Sequence, residues 1–179
     1  LSLTELDVSD CTALKSLDVS GCTALEYLVC SSTSLTELDV SGCTALKSLD
    51  VSGCTALESL YCYPPSLTEL DVSGCTALKS LYCSFNSLTE LDVSGCTALE
   101  SLDVSSCSAL ESLDCSSNEY LTELDVDGCI ALKSLDVSGC TALESLYCYP
   151  PSLTELDVSG CTALKSLYCS FNSLTELDV

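Results

Sequence analysis

Three side-chain types in this chain of 179 residues have chemistry to offer: 16 Cys, 27 Asp and Glu, and 8 Tyr. The sequence holds no His, Arg, Met or Trp. Without His, a Ser or Cys nucleophile has no imidazole base, and His-metal centres are excluded. No two cysteines stand three apart, so there is no CxxC, which argues against zinc knuckles and thioredoxin-like redox chemistry. The carboxylates recur so evenly that none marks out a unique acid–base pair. The expectation is a non-enzymatic chain with no required cofactor. Five Lys against those acids leave a net charge of -22, which repels phosphate backbones and anionic lipid and makes nucleic-acid binding a poor fit. No apolar run approaches the roughly 18 residues of a membrane span, yet 47% of residues are hydrophobic, ample for a core.

These groups are placed by a repeat of 10 or 11 residues that begins at Leu3, Leu14, Leu25 and Leu35 and continues to Leu174. One form reads LTELDVSGCTA (Leu35 to Ala45), the others LESLYCYPPS (Leu57 to Ser66) and LKSLYCSFNS (Leu78 to Ser87). Above it lies a longer period, for residues 46–93 and 132–179 are identical over 48 positions at an offset of 86. No linker or charge block interrupts the pattern. The organisation expected is one solenoid domain over 1–179, two copies of an 86-residue unit that start and end mid-repeat.

Within a module the fourth and sixth residues, such as Leu38 and Val40, alternate with polar Asp39 and Ser41. That two-residue period predicts a strand of about four residues with one face buried. Gly42, Pro64-Pro65 or Phe85-Asn86 then supply turn chemistry. An amphipathic helix would suit Leu at positions one and four, but not Gly and Pro in every turn. One such strand cannot close a core, whereas two modules make a flat coil of 21 or 22 residues. Coils stacked about 4.8 Å apart in parallel give roughly eight coils and a rod near 40 Å.

The pattern Leu35-Thr-Glu-Leu38-Asp-Val40-Ser-Gly-Cys43-Thr-Ala-Leu46 resembles the leucine-rich repeat consensus. The nested pairing from Leu57 to Ala77 is similar to the 21-residue bacterial-style subclass called IRREKO. The resemblance implies a solenoid with two parallel β-sheets and a role in recognition, adhesion or surface scaffolding, and hence an extracellular or cell-surface setting. Two departures stand out. The ninth-position Asn of the family survives only at Asn86, Asn118 and Asn172, mostly giving way to Cys, and no capping repeats are visible.

Ten Cys hold the ninth position and six hold the inward sixth. Stacking sets Cys54, Cys75 and Cys96 in one file about 4.8 Å apart, where parallel Cβ vectors resist a disulfide without distortion. Buried free thiols are expected, with oxidation the alternative.

Sorting alternate modules onto two faces gives the outward fifth position. Face one reads Asp7, Val29, Asp50, Asp71, Asp92, Asp114, Asp136, Asp157 and Asp178. Seven of these, Asp50 to Asp178, are consecutive rungs, and each like-charge neighbour costs about 0.8 kcal/mol in water. Crowding is expected to raise their pKa values. Solvated carboxylates are one outcome and bridging Ca²⁺ the other, since oxygen ladders suit hard cations. Face two reads Asp18, Asp39, Tyr61, Tyr82, Asp103, Asp125, Tyr147 and Tyr168. It gathers Tyr61, Tyr63, Tyr82 and Phe85, and again Tyr147, Tyr149, Tyr168 and Phe171. These groups form either a stabilising tyrosine ladder or a contact patch for protein, another copy, or glycan.

Two functions follow. One is a structural solenoid that stacks end to end on copies of itself into a fibre, supported by near-identical repeats and by Leu3 to Val8 and Leu174 to Val179 breaking mid-coil. The other is a recognition or adhesion module for a protein or glycan. Recognition repeats usually vary their outward residues and these scarcely do, so the sequence favours the fibre.

Overall fold

The computed structural model describes residues 2–179, and among them lie sixteen short strands and no helix. In chain order these are β1 (Glu5–Asp7), β2 (Tyr27–Val29), β3 (Glu37–Asp39), β4 (Ser48–Asp50), β5 (Ser59–Tyr61), β6 (Glu69–Asp71), β7 (Ser80–Tyr82) and β8 (Glu90–Asp92). There follow β9 (Ser101–Asp103), β10 (Ser112–Asp114), β11 (Glu123–Asp125), β12 (Ser134–Asp136), β13 (Ser145–Tyr147), β14 (Glu155–Asp157), β15 (Ser166–Tyr168) and β16 (Glu176–Asp178). All pairings are parallel and join every second module in register, as Leu60 opposite Leu81 and Leu49 opposite Leu70. The chain is therefore a parallel β-solenoid of about eight turns with two strand files.

The strands run from the third to the fifth module position, one residue earlier and one shorter than the alternation predicted. The fifth-position Asp explains the early stop. Its side chain turns back onto the N–H of residue seven, so the backbone is already in a turn there. Leu at positions one and four, Val or Cys at six and Cys at nine fill the interior, and a continuous core runs from Val19 to Cys161.

Position eight makes the tightest bend. Gly53, Gly74, Gly128 and Gly139 stand at positive φ, as do Asp10, Ser32, Phe85, Ser106, Ser117 and Phe171. At Gly42 the constraint is space instead, since a Cβ would fall 2.5 Å from the Ser20 carbonyl oxygen in the coil below.

Each file is laddered in pieces. The odd file pairs as β1-β2-β4-β6, β8-β10-β12 and β14-β16, the even file as β3-β5-β7-β9 and β11-β13-β15. The Leu14 module, LKSLDV like that at Leu46, has no strand beside β3. Every interruption falls where the next strand reads Glu-Leu-Asp, as between β6 and β8. Like charges set opposite one another weaken pairing by a few tenths to about 1 kcal/mol, but charge by itself does not select the breaks. Two Glu-Leu-Asp steps, β4 to β6 and β14 to β16, keep their ladder.

Candidate functional site

The outward fifth position does different work in the two files. Along the odd file, register places Asp50 against Asp71, Asp114 between Asp92 and Asp136, and Asp157 against Asp178. The expected run of seven carboxylates thus keeps its order but is broken twice, after Asp71 and after Asp136. One oxygen is already occupied in six of these seven. Oδ1 of Asp50, Asp71, Asp92, Asp114, Asp136 and Asp157 accepts the N–H of the serine two residues on, at 2.8 to 2.9 Å. In the even file Asp39 and Asp103 accept the N–H of Ser41 and Ser105 at 2.8 and 3.0 Å, and Asp125 that of Asp127 at 2.8 Å. The recurring Asp-Val-Ser triplet was the sequence signal for this turn bond.

Hydrogen bonds from the serine hydroxyl and then its backbone hold Asp7, Asp18 and Asp157 below the usual carboxylate value. At Asp157, a member of the proposed file, this reverses the expected rise: a local donor outweighs like charges that water screens. Among the described residues no three Asp, Glu or Cys side chains converge as a metal would require.

All sixteen cysteines are free thiols, and fourteen are buried; Cys11 is exposed and Cys169 half-buried. Burial, followed by neighbouring thiols, pushes Cys30, Cys75, Cys107, Cys129 and Cys148 to about 12. Such thiols hold almost no thiolate and are poor nucleophiles or metal ligands. Those at the ninth position have a structural task instead. Cys54 Sγ donates to the Cys30 carbonyl at 3.1 Å, Cys75 to Val51 at 3.1 Å and Cys129 to Val104 at 3.2 Å, each a coil below. Asn86 Nδ2 makes the same bond to Cys62 at 2.9 Å, and Asn118 to Val93 at 3.1 Å. Cys therefore takes over the donor task of Asn. It also avoids the buried Oδ1 that Asn86 and Asn118 leave without a partner.

The even file carries the aromatic groups. Tyr61 and Tyr82 stand in register and stack, centroids 5.1 Å apart and rings 11° from parallel. Tyr147 and Tyr168 repeat this at 4.9 Å and 7°. Tyr63 borders the first pair and Tyr149 the second. Partial burial, then the neighbouring Asp103, Tyr82 and Tyr61, push the Tyr63 hydroxyl up; burial, then Tyr168, Tyr147 and Asp125, do so at Tyr149. Phe85 is 66% exposed and Phe171 89%, both in the left-handed turn conformation that Gly holds elsewhere. Of the two expected aromatic sets, Tyr63, Phe85, Tyr168 and Phe171 are exposed, and Tyr61, Tyr82, Tyr147 and Tyr149 are half-buried. The carboxylates frame them: Asp39 opposes Tyr61, Asp103 opposes Tyr82, and Asp125 opposes Tyr147.

Sequence reasoning missed the inter-coil ion pairs. Lys47 meets Glu26 at 2.6 Å, Lys79 meets Glu58 at 2.8 Å, and Lys133 and Lys165 meet Glu111 and Glu144 at 2.7 Å. All eight residues hold the second module position, 21 or 22 residues from their partners, a spacing that was legible.

Residues 31–44 match the family described as Leucine Rich repeat. No curated protein matches the chain. Among solved structures, the functional domain of InlJ from Listeria monocytogenes, described as including a cysteine ladder, is 29% identical. It aligns over 99% of this chain and 55% of its own length with a TM-score of 0.27. YopM from Yersinia enterocolitica is 26% identical over 98% and 46%, TM-score 0.34. The leucine-rich repeat domain of the type III effector XopL is 20% identical over 99% and 69%, TM-score 0.46. This chain thus spans about half the length of the first two.

Proposed function

We propose that this chain is a non-enzymatic repeat scaffold and that its working surface is the aromatic cluster carried twice on the even file, used to hold a protein partner. The observation that supports it is Phe85 with Phe171. An exposed aromatic side chain in the left-handed region costs of order 1 kcal/mol and contributes nothing to a core. Both Phe residues sit on the turn three positions after a stacked tyrosine, Tyr82 or Tyr168, where a contact surface would want them. The resemblance to leucine-rich repeats and the lack of His in the sequence favour holding over reacting. An extracellular or cell-surface setting is part of the same proposal.

The test is an array of extended peptides of mixed composition, probed with the wild-type chain and with a variant carrying Tyr61→Ser, Tyr82→Ser, Tyr147→Ser and Tyr168→Ser. Binding that disappears in the variant supports the reading. Equal binding by both proteins, or by neither, overturns it.

A second reading, end-to-end self-association into a fibre, draws on the near-identity of its repeats, residues 46–93 and 132–179 being the same. Opposing it, two chains of charge -22 repel at low salt. Filaments in electron micrographs at physiological salt establish it; discrete rods of roughly 40 Å rule it out.

A further inference from the structure

The clusters themselves say what kind of segment they hold, an inference that rests on the contact reading above. In the first cluster the two rings stack on each other, so each spends one π-face internally and turns the other along the file. The free face of Tyr61 looks toward Asp39 and that of Tyr82 toward Asp103, each one rung away in strict register. One oxygen of each Asp is tied to its own turn, and the second is open. A π-face with a carboxylate about 4.8 Å beyond it matches a cationic side chain, which takes the ring quadrupole on one side and an ion pair on the other. The second cluster repeats the arrangement at Tyr147 with Asp125. Tyr168 is 46% exposed and Phe171 89%. Around both, the chain's net charge of -22 draws in cations and turns away acidic segments.

The spacing adds a second requirement. Tyr82 and Tyr168 lie 86 residues apart, four coils along the same file. At about 4.8 Å per coil the clusters sit roughly 19 Å apart, a distance that about six residues of extended chain would span. We propose that the two clusters form one bivalent site for an extended cationic protein segment, each cluster taking an arginine or lysine, the two basic residues separated by about six positions. Phe85 and Phe171, on the turn that follows each tyrosine strand, wall the segment in on one side. Linking the two contacts through one short chain makes the second engagement intramolecular, so affinity rises well beyond that of either contact.

The experiment is calorimetric titration of the full chain at physiological salt with four synthetic peptides of equal length: two Arg six residues apart, two Arg adjacent, one Arg, and two Glu six residues apart. The spaced two-Arg peptide is expected to bind at least tenfold more tightly than the adjacent or single-Arg peptides, and the Glu peptide not at all. Removing one cluster by Tyr61→Ser with Tyr82→Ser should lower the spaced peptide to the single-Arg level. The net charge is unchanged in that variant, so unaltered affinity would mean diffuse attraction and would overturn the proposal. Equal binding of spaced and adjacent Arg peptides would overturn bivalency, and equal binding of the Glu peptide would overturn the cationic specificity while leaving the general contact reading intact. Because Phe85→Gly relieves a strained turn, it is the second variant: loss of affinity in a protein that melts no lower than wild type separates contact from folding.

Discussion

The two strand files share one core and differ at a single outward position. Leu49 under Asp50 and Leu60 under Tyr61 are both buried, at 1% and 0% exposure, and pack into the same cluster. Above them the solutions diverge. Asp50 ends its strand by accepting the Ser52 N–H, which fixes the turn locally. Tyr61 has no such acceptor; it is followed by Pro64, whose ring fixes φ, and its side chain stacks on the next coil. Asp closes its own module, Tyr ties one coil to another. Exposed apolar side chains occur in both files, Tyr27 and Tyr120 among them, but only beside the second solution does the chain place Phe in a conformation suited to Gly.

If the core is common, conditions that attack it should not distinguish the files. The thiols give the largest effect. Their ordinary pKa of 9.0 rises in the fold to about 12 at Cys75 and Cys96 in one file and at Cys107 and Cys129 in the other. The unfolded chain therefore releases protons between those values and the folded chain does not, so stability is intact below pH 9 and falls as pH climbs toward 12. A single cooperative alkaline transition by circular dichroism is expected, with thiol reagents at pH 8 modifying only Cys11 and Cys169 quickly. Two separate transitions would break the common-core picture. At the acid end the sign reverses. Hydrogen bonding holds Asp157 below its ordinary 3.8, so its contribution is complete above that value and lost as pH falls through the lower folded one.

Next in size come Leu49→Ala and Leu60→Ala. Each opens a cavity beneath a different outward residue, and each is expected to cost about 2–5 kcal/mol in chemical denaturation, with the two values within about 1 kcal/mol of each other. A much smaller loss at Leu60 would mean that the tyrosine file carries its own stability.

The repeat, the two faces and the inward cysteines were all legible in the sequence because period alone determines them: alternation buries Leu and Val or Cys, and an even number of modules keeps each face in phase. Strand limits were not, since the strand ends where an Asp side chain captures a backbone N–H, a competition that hydrophobic pattern does not report. Nor were the ladder breaks legible from period, because β4 to β6 pairs and β6 to β8 does not, although both enter Glu-Leu-Asp. The aromatic clusters were foreseen by adjacency of Tyr61 and Tyr82 across coils, but the left-handed turn at Phe85 needed the backbone. The role of Cys at the Asn position needed its donor geometry.

Smaller effects sharpen the contrast between the files. Phe85→Gly is expected to stabilise by about 1 kcal/mol, because Gly adopts φ near 61° without a Cβ clash, partly offset by its greater freedom when unfolded. Thermal melts check the sign; a loss of stability would show that Phe85 packs usefully in the free protein. Asp71→Asn keeps a side-chain carbonyl for the Ser73 N–H while removing a charge beside Asp50. A gain of roughly 0.5 kcal/mol at low salt is expected, shrinking in 0.5 M NaCl as screening removes the repulsion.

The ion pairs should give the least, and they differ in a way that calibrates the rest. Lys165 pairs with Glu144, whereas Lys79 pairs with Glu58 and also feels Glu100 in the next coil. Exposed pairs are worth about 0.2–1 kcal/mol, so Lys165→Gln should cost a few tenths of a kcal/mol. Lys79→Gln should cost more, because it also leaves two glutamates one coil either side of a neutral side chain in a molecule already at -22. Urea titrations of both variants at low and high salt measure the difference. If it vanishes with salt, charge between coils is a screened surface effect. If it persists, the pair is held by its geometry rather than by screened charge.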